Sequence, residues 1–332
     1  MVVSLLILTA ATAWILIDNK TAPYNKMEGK IFGTFYHITY QSTQNLDEEI
    51  LQQLAMVDNS LSAFNQNSTV SLINQNKSTQ TDKMFNSVFN LATEISDKTD
   101  GAFDVTVAPL VNLWGFGFKN SDQVTQSRID SILTFVGYKN VSLKKSHFTK
   151  SNPQTMIDFS AIAKGYGCDV VAEFLSNRGV NNYMIEIGGE IRANGVNSSN
   201  LAWTVGIVEP TEDSIQQNQT LRATIQKSTL AMATSGNYRN FYYKDGQKFA
   251  HTIDPHTGRP VQHSLLSATV IAPTCAMADA YATAFMVMGF DKAKALLSSN
   301  PKLQAYLIYA DDKGNNQTWC SPSIQKYIDA NN

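Results

Sequence analysis

The chain has 332 residues, of which 43% are hydrophobic, enough for one large or two smaller cores. Its formal net charge of −2 implies no basic surface, so no nucleic-acid partner is expected. The three cysteines, Cys168, Cys275 and Cys320, lack the spacing of a metal site or a redox motif, and their odd number argues against a disulfide framework.

The N-terminal region is an apolar run. Residues 2–17 carry no charge, and their length lies between that of a signal-peptide core and that of a spanning helix. No basic residue precedes the run, which is unusual for an export signal, and no Cys follows it, which argues against a lipid-anchored N-terminus. A buried helix is the alternative. We expect a membrane anchor or signal-like helix over 1–18, a polar linker over 19–30 and one globular domain over 31–325.

Hydrophobic periodicity divides the rest of the chain into helices and strands. Helical spacing predicts helices over 46–61, 85–95, 129–136 and 274–288, a short turn capped by Ser68, and a helix from about Ser160 to Gly179. Alternation predicts strands over 31–40, 102–107, 183–187, 203–208, 221–226, 265–271 and 303–309, a hairpin around Lys244-Asp245-Gly246, and a polar loop over 213–219. These elements mix without strict βαβ alternation, which predicts an α+β fold.

The segment 157–167 combines small residues with two charges. We interpret it as a strand, a tight turn and a helix start, which would direct backbone N–H groups and the helix dipole at one point. Asp158 and Lys164 would flank that point, and a phosphate with a metal nearby would fit there. The alternative, favoured by this segment alone, is a simple turn with Ser160 as N-cap and both charges in solvent.

The helix after Pro273 is apolar nearly all round, which predicts burial on every side. Its two interior polar residues, Asp279 and Thr283, are four positions apart and therefore share one face. A carboxylate with a hydroxyl is an oxygen pair suited to Mg²⁺. The alternative is a buried Asp279 bonded to a backbone amide, with Thr283 bonding back along its helix. The spacing leaves both open.

The decamer 251–260 is dense in groups that can take part in chemistry. His251 lies at a strand end, where it could act as a general base, and His256 and Arg259 lie within the turn itself. Gly188-Gly189-Glu190 and Ser235-Gly236 are two further small-residue turns that would let a ligand approach the backbone. The chain contains no Walker, Gly-x-Gly-x-x-Gly or Gly-x-Ser-x-Gly motif.

In this order, several stretches between residues 30 and 310 resemble the FAD:protein FMN transferases of the ApbE family. The matching stretches are Gly33-Thr34, Leu61-Ser62-Ala63-Phe64-Asn65, Asp100-Gly101-Ala102-Phe103-Asp104, the segment 157–165, Ile187-Gly188-Gly189-Glu190, Ser235-Gly236, the decamer and the segment 278–284. The decamer and the Asp279 helix are the most specific. The resemblance implies a T-fold-like α+β architecture of mixed sheets with packed helices.

The resemblance also implies functional residues. Asp279, Thr283 and the backbone oxygen of Ala161 would bind Mg²⁺. The expected FAD-site residues are Phe64, Ala102, Phe103, Asp104, Asp158, Lys164 and Ile253. Phe32 stands where the family usually has Met, so it is expected to line this site with an altered contact to the flavin ring.

The expected reaction moves FMN from FAD onto a Thr or Ser hydroxyl of an acceptor protein, through a phosphoester bond, and releases AMP. His251 is expected to take the hydroxyl proton. The alternatives are a Mg²⁺-dependent FAD pyrophosphatase and a flavin-binding protein without catalysis. Many family members are exported or membrane-attached, so we expect the N-terminal helix to anchor this domain on the periplasmic side of the inner membrane.

Overall fold

The computed structural model describes residues 22–117, 124–210, 220–237, 241–244 and 247–330. The predicted N-terminal helix, the polar loop over 213–219 and the Asp245-Gly246 turn lie outside these residues. None of the helices in the described ranges combines the length and the apolar character needed to cross a membrane.

The described residues form eight α-helices and seventeen strands. The helices are α1 (Asp47–Leu61), α2 (Thr69–Asn74), α3 (Lys83–Lys98), α4 (Ala108–Leu113), α5 (Gln126–Leu133), α6 (Ala163–Asn177), α7 (Cys275–Met288) and α8 (Phe290–Ser299). The strands are β1 (Tyr24–Ile31), β2 (Thr34–Gln41), β3 (Val141–Lys144), β4 (His147–Lys150), β5 (Tyr183–Ile187), β6 (Glu190–Asn194), β7 (Trp203–Val208), β8 (Leu221–Lys227), β9 (Leu230–Gly236), β10 (Phe241–Lys244), β11 (Gln247–Ala250), β12 (Ile253–Asp254), β13 (Arg259–Pro260), β14 (Leu265–Ile271), β15 (Gln304–Ala310), β16 (Asn316–Cys320) and β17 (Ile328–Ala330).

An eight-stranded sheet in the order β1-β2-β5-β6-β9-β14-β15-β16 forms the centre of the fold. All of its neighbouring strands pair antiparallel. One face packs on α6 and α7. The other face packs on the small sheet β17-β8-β7, where Met232 and Ile308 of the large sheet join Trp203 and Ile225 in one apolar cluster. The α+β prediction is therefore confirmed, as three layers that bury both faces of the central sheet.

The strand predicted over 31–40 is wrong in its extent. The linker predicted over 19–30 is wrong in its last residues, because they belong to a strand. Residues 24–31 form strand β1, which pairs with β2 around a two-residue turn at Phe32-Gly33. Both turn residues have positive φ, 52° at Phe32 and 74° at Gly33. A two-residue turn with positive φ at both positions has the twist that suits a β-hairpin. The sequence did not reveal this turn, because the turn adds no polar residue and the alternating pattern of 31–40 continues through it.

The strand predicted over 102–107 is also wrong. The Asp104 carboxylate accepts the Thr106 backbone N–H at 2.7 Å and the Thr106 hydroxyl at 2.6 Å, which closes a turn in place of a ladder. Pro109 therefore lies in the first turn of α4 and does not end a strand.

The segment before α6 differs from its prediction in the same way. Residues 155–159 belong to no helix or sheet, and the Asp158 N–H bonds to the Val105 carbonyl of a neighbouring loop. Helix α6 starts at Ala163 and its N-cap is Ile162, so Ser160 is not the cap that the alternative interpretation required.

Candidate active site

A cavity of about 480 Å³ opens where the ends of several elements converge. Its walls come from the loop after α1, the segment before α4, the segment before α6, the β5–β6 turn, the end of β9, the chain around β12, and α7. All of the site residues predicted from the sequence line it: Phe32, Phe64, Ala102, Phe103, Asp104, Asp158, Ala161, Lys164, His251, Ile253, Asp279 and Thr283.

An ammonium group between two carboxylates marks the polar end of the cavity. The Lys164 Nζ lies 3.4 Å from Oε1 of Glu190 and 3.7 Å from Oδ2 of Asp279. It also donates to the Ser160 carbonyl at 3.2 Å. The two acids are almost fully buried, with 3% of Glu190 and 2% of Asp279 exposed. Buried charges of this kind are stable only when paired, so the three side chains form one electrostatic unit.

Burial and pairing act in opposite directions on these pKa values. Burial raises the pKa of Glu190 above its ordinary value, while the attraction of Lys164 favours its ionised form. Burial likewise raises the pKa of Asp279, again opposed by Lys164. For Lys164, desolvation would lower the pKa, but Asp279 and Glu190 outweigh it and raise the pKa above its ordinary value. Lys164 is therefore a permanent cation near neutral pH, suited to hold a phosphate.

Helix α7 brings the candidate metal ligands to the cavity. Its N-cap Thr274 accepts the Met277 N–H, and the helix is buried along nearly all its length, as predicted. Asp279 accepts the Gly165 N–H at 3.1 Å, while the Thr283 hydroxyl lies 3.3 Å from the Ser235 hydroxyl. One half of the alternative interpretation therefore holds, because Asp279 accepts a hydrogen bond from a backbone amide. Thr283 instead contacts a side chain on the neighbouring strand.

The donors fit a hard divalent cation. In the described part of the chain no three His, Cys, Asp or Glu side chains group as a metal site, so a cation here would depend on one carboxylate with hydroxyl and carbonyl oxygens. Asp279, Thr283 and Ala161 line the same cavity and supply those three oxygen types. One ammonium also faces two carboxylates, which leaves an excess negative charge when both are ionised. Both features suit Mg²⁺.

The other two predicted acids, Asp158 and Asp104, differ in how many of their carboxylate oxygens accept hydrogen bonds. Asp158 uses Oδ1 to accept the backbone N–H and the hydroxyl of Ser160, which shapes the turn before α6. Both oxygens of Asp104 are used, Oδ1 by Thr106 and Oδ2 by the Tyr138 N–H at 2.8 Å. Asp104 therefore fixes the cavity wall, whereas Asp158 keeps one oxygen without a hydrogen bond from the described residues.

The apolar end of the cavity is lined by aromatic and aliphatic side chains. The Phe32 ring packs against Gly167 of α6, where an added Cβ would lie 2.8 Å from it. Phe64 is 70% exposed at the rim, whereas Phe103 and Ile253 are buried. An apolar pocket with a charged end is a common form of site for an aromatic ligand that carries phosphate.

The three function-capable residues of the decamer have different positions. His251 lines the cavity, and its ring lies 6.4 Å from that of Phe116. The His256 ring lies 3.0 Å from Asp254 and 2.7 Å from the Asp100 carbonyl, so it links two loops. Arg259 donates to Gln126 of α5. Of the three, His251 alone is among the residues that line the cavity.

Among the polar residues of the cavity that were absent from the predicted site, Glu190 and Ser235 contact its charged and metal-ligand residues. The sequence did contain a signal, because both belong to small-residue turns noted as places for close ligand approach. Each was weak by itself, since neither turn reveals which side chain faces Lys164 or Thr283.

The fold and this cavity define the class: an α+β domain with a combined apolar, cationic and oxygen-ligand site. The family model described as "ApbE family" matches residues 32–307. The FAD:protein FMN transferase of Haemophilus influenzae is 38% identical over 305 residues, which covers 87% of this chain and 87% of that protein. Its counterpart in Escherichia coli K12 is 33% identical over 343 residues, covering 97% and 96%.

Solved structures agree. The flavin transferase ApbE from Vibrio cholerae has a TM-score of 0.83 and 34% identity, covering 92% of this chain and 99% of that one. The Pseudomonas stutzeri flavinyl transferase ApbE, in its apo form, has a TM-score of 0.82 at 28% identity, covering 93% and 98%. This chain belongs to the ApbE family, as its motifs indicated.

Proposed function

We propose that this chain is a Mg²⁺-dependent FAD:protein FMN transferase. It moves FMN from FAD onto a Thr or Ser hydroxyl of an acceptor protein and releases AMP. The observation that carries the proposal is the Lys164 ammonium between buried Asp279 and Glu190 at the polar end of an otherwise largely apolar cavity. The names of the relatives and the family membership support the same activity.

The bonds that change define what the residues must do. The acceptor oxygen bonds to the flavin-side phosphorus, the bond from that phosphorus to the bridging oxygen breaks, and AMP leaves with that oxygen. Catalysis of such a transfer is mostly positioning and charge neutralisation. Lys164 holds phosphate oxygens, and His251 takes the proton of the acceptor hydroxyl. The apolar end, with Phe32 and Phe64, holds the flavin.

The metal ligands in this proposal are Asp279, Thr283 and the Ala161 carbonyl. When bound there, Mg²⁺ would supply Lewis-acid polarisation of the pyrophosphate. Asp279 is held by the Gly165 N–H, so its carboxylate is oriented by α6 before any ligand binds. The Ser235 hydroxyl beside Thr283 helps to orient the second ligand.

Mass spectrometry of a candidate redox subunit, incubated with this protein, FAD and Mg²⁺, tests the transfer. The acceptor should gain FMN less one water on a Thr or Ser, with AMP released.

Asp279→Ala should abolish the gain, and normal labelling by that variant would refute the metal assignment. His251→Ala should still bind FAD but transfer about 10²–10⁴ times more slowly. Free FMN with an unlabelled acceptor would indicate the pyrophosphatase instead. FAD that is bound but left intact would indicate the non-catalytic flavin-binding protein.

We also propose that residues 1–18 anchor the domain at the periplasmic face of the inner membrane. The uncharged run over 2–17 supports this proposal. Protease added to intact spheroplasts should then digest the domain, whereas protection until the membrane is lysed would place it on the other side.

A further inference from the structure

Two other carboxylates, Asp104, which is buried, and Asp169, which is partly buried, have structural partners that explain their burial. Asp104 is held by backbone N–H groups of Thr106 and Tyr138. Asp169 of α6 accepts the backbone N–H groups of Cys275 and Ala276 at 2.9 and 2.8 Å, which caps the start of α7. In both cases the backbone donors compensate the cost of burying a charge, and the carboxylate fixes a loop or a helix end.

Glu190 is different. Its Oε1 faces the Lys164 ammonium, and its Oε2 is buried without a hydrogen-bond partner among the described residues. The residue is 3% exposed and lines the cavity. An unsatisfied buried carboxylate oxygen is costly, so it calls for an explanation beyond folding. Among the described residues, the charged group that the Glu190 carboxylate contacts is the Lys164 ammonium.

The β5–β6 turn fixes this pair. Gly188 and Gly189 have φ of 63° and 100°, and the turn is held by Glu186, whose carboxylate accepts the Gly189 N–H at 2.6 Å. A Cβ on Gly188 would lie 3.3 Å from Cδ of Lys164, so the lysine stem runs along the turn. Glu190 is therefore not needed to close the turn, and its carboxylate is left to face the ammonium.

Asp279, the other partner of Lys164, is also the candidate metal ligand. A divalent cation on that carboxylate repels the ammonium and weakens its attraction to Asp279. Glu190 is then the remaining carboxylate that holds Lys164 at the cavity. We propose that Glu190 is a positioning residue that keeps the Lys164 ammonium directed at the FAD pyrophosphate while Asp279 holds the metal. This inference rests on the proposed function.

The direction in which one substitution changes the affinity for FAD separates this role from a simple charge effect. Glu190→Gln removes a negative charge near an anionic ligand, so an effect through space would tighten FAD binding. Loss of a positioning partner instead weakens it, by about tenfold or more, because a charge-assisted hydrogen bond contributes that much. We expect weaker FAD binding in Mg²⁺, measured by quenching of flavin fluorescence, and a higher KM for FAD. Unchanged or tighter binding would overturn the proposal.

A double-mutant cycle adds a measurement that a general loss of structure would not reproduce. In a Lys164→Met background, Glu190→Gln should leave FAD binding equal or tighter, because the group it positions is gone and only the through-space effect of the lost negative charge remains. Additive losses would refute the role. If Glu190→Gln does not fold by circular dichroism, Glu190→Asp keeps the charge and shortens its reach, and it should weaken FAD binding by a smaller factor.

Glu173→Gln is the matched control. It is the same substitution on α6, the helix that carries Lys164, but at an exposed position that is not among the residues that line the cavity. Its FAD affinity should equal that of the unmodified protein. If the unmodified protein fails to bind FAD, the proposed function itself is wrong. If it binds FAD and Glu190→Gln binds equally well, the positioning role alone fails.

Discussion

At the scale of single residues, Gly165 sets the distance between two helices and the orientation of a candidate ligand. A Cβ added there would lie 2.3 Å from the Cys275 carbonyl oxygen and 2.8 Å from the Ala276 nitrogen. These are backbone atoms, so α7 itself would have to move. Gly165→Ala should lower the free energy of unfolding by about 1–3 kcal/mol and weaken FAD binding, because Asp279 receives the Gly165 N–H. Urea unfolding and FAD titration measure both effects.

Gly167→Ala on the same helix is the control for that substitution. It brings the same gain in helix propensity, about 1 kcal/mol, but its Cβ would meet the Phe32 ring at 2.8 Å. A side chain can rotate away where backbone cannot, so this variant should lose less stability. Equal losses in the two variants would show that the backbone contact at Cys275 is not the cause.

Other residues show how far sequence reasoning reached at this scale. Asp279 and Thr283 could be placed on one helix face from their spacing alone, but the spacing left their role open and only the family resemblance implied metal binding. Glu190 could not be assigned, since its role depends on Lys164, which lies in the first turn of α6 and meets the β5–β6 turn only in the folded chain. Local patterns do not contain that proximity.

At the scale of elements, periodicity succeeded where packing and local chemistry agreed. Helix α7 was predicted over 274–288, one residue longer than observed, because its apolar residues on all sides indicate a buried helix, and the structure shows that Thr274 is its N-cap. Strand β9 was missed even though it is central to the large sheet. It is built from Leu230, Met232, small residues and a polar end, and four of its consecutive residues are buried, so it shows no alternation.

The segment 102–107 failed for the opposite reason. Its residues alternate and include β-branched side chains, which favour a strand. The short side chain of Asp104 accepts the Thr106 N–H, which forms a turn at the cavity in place of a strand. The competing interaction is local, but the Tyr138 N–H that completes it comes from a distant segment.

At the scale of the whole molecule, the cavity draws on nearly the entire described chain. Its lining begins at Phe32 on the β1–β2 turn and ends at Val287 near the end of α7. No single motif contains the site, which is why each turn was weak evidence by itself and the ordered set was informative. The fold joins these segments because the antiparallel sheet brings turns and strand ends to one region.

This arrangement predicts how ligands affect global stability. A ligand that binds only the folded chain stabilises it by about 2.7 kcal/mol at a hundred times its dissociation constant, which is roughly 5 °C in Tm for a domain of this size. FAD with Mg²⁺ should therefore raise the Tm of the whole cooperative transition, measured by calorimetry. Riboflavin, which has no pyrophosphate for Lys164, should raise it less, and Asp279→Ala should lose the part that depends on Mg²⁺. An equal shift with riboflavin would mean that the cationic end of the cavity contributes nothing to binding, against the role assigned to Lys164.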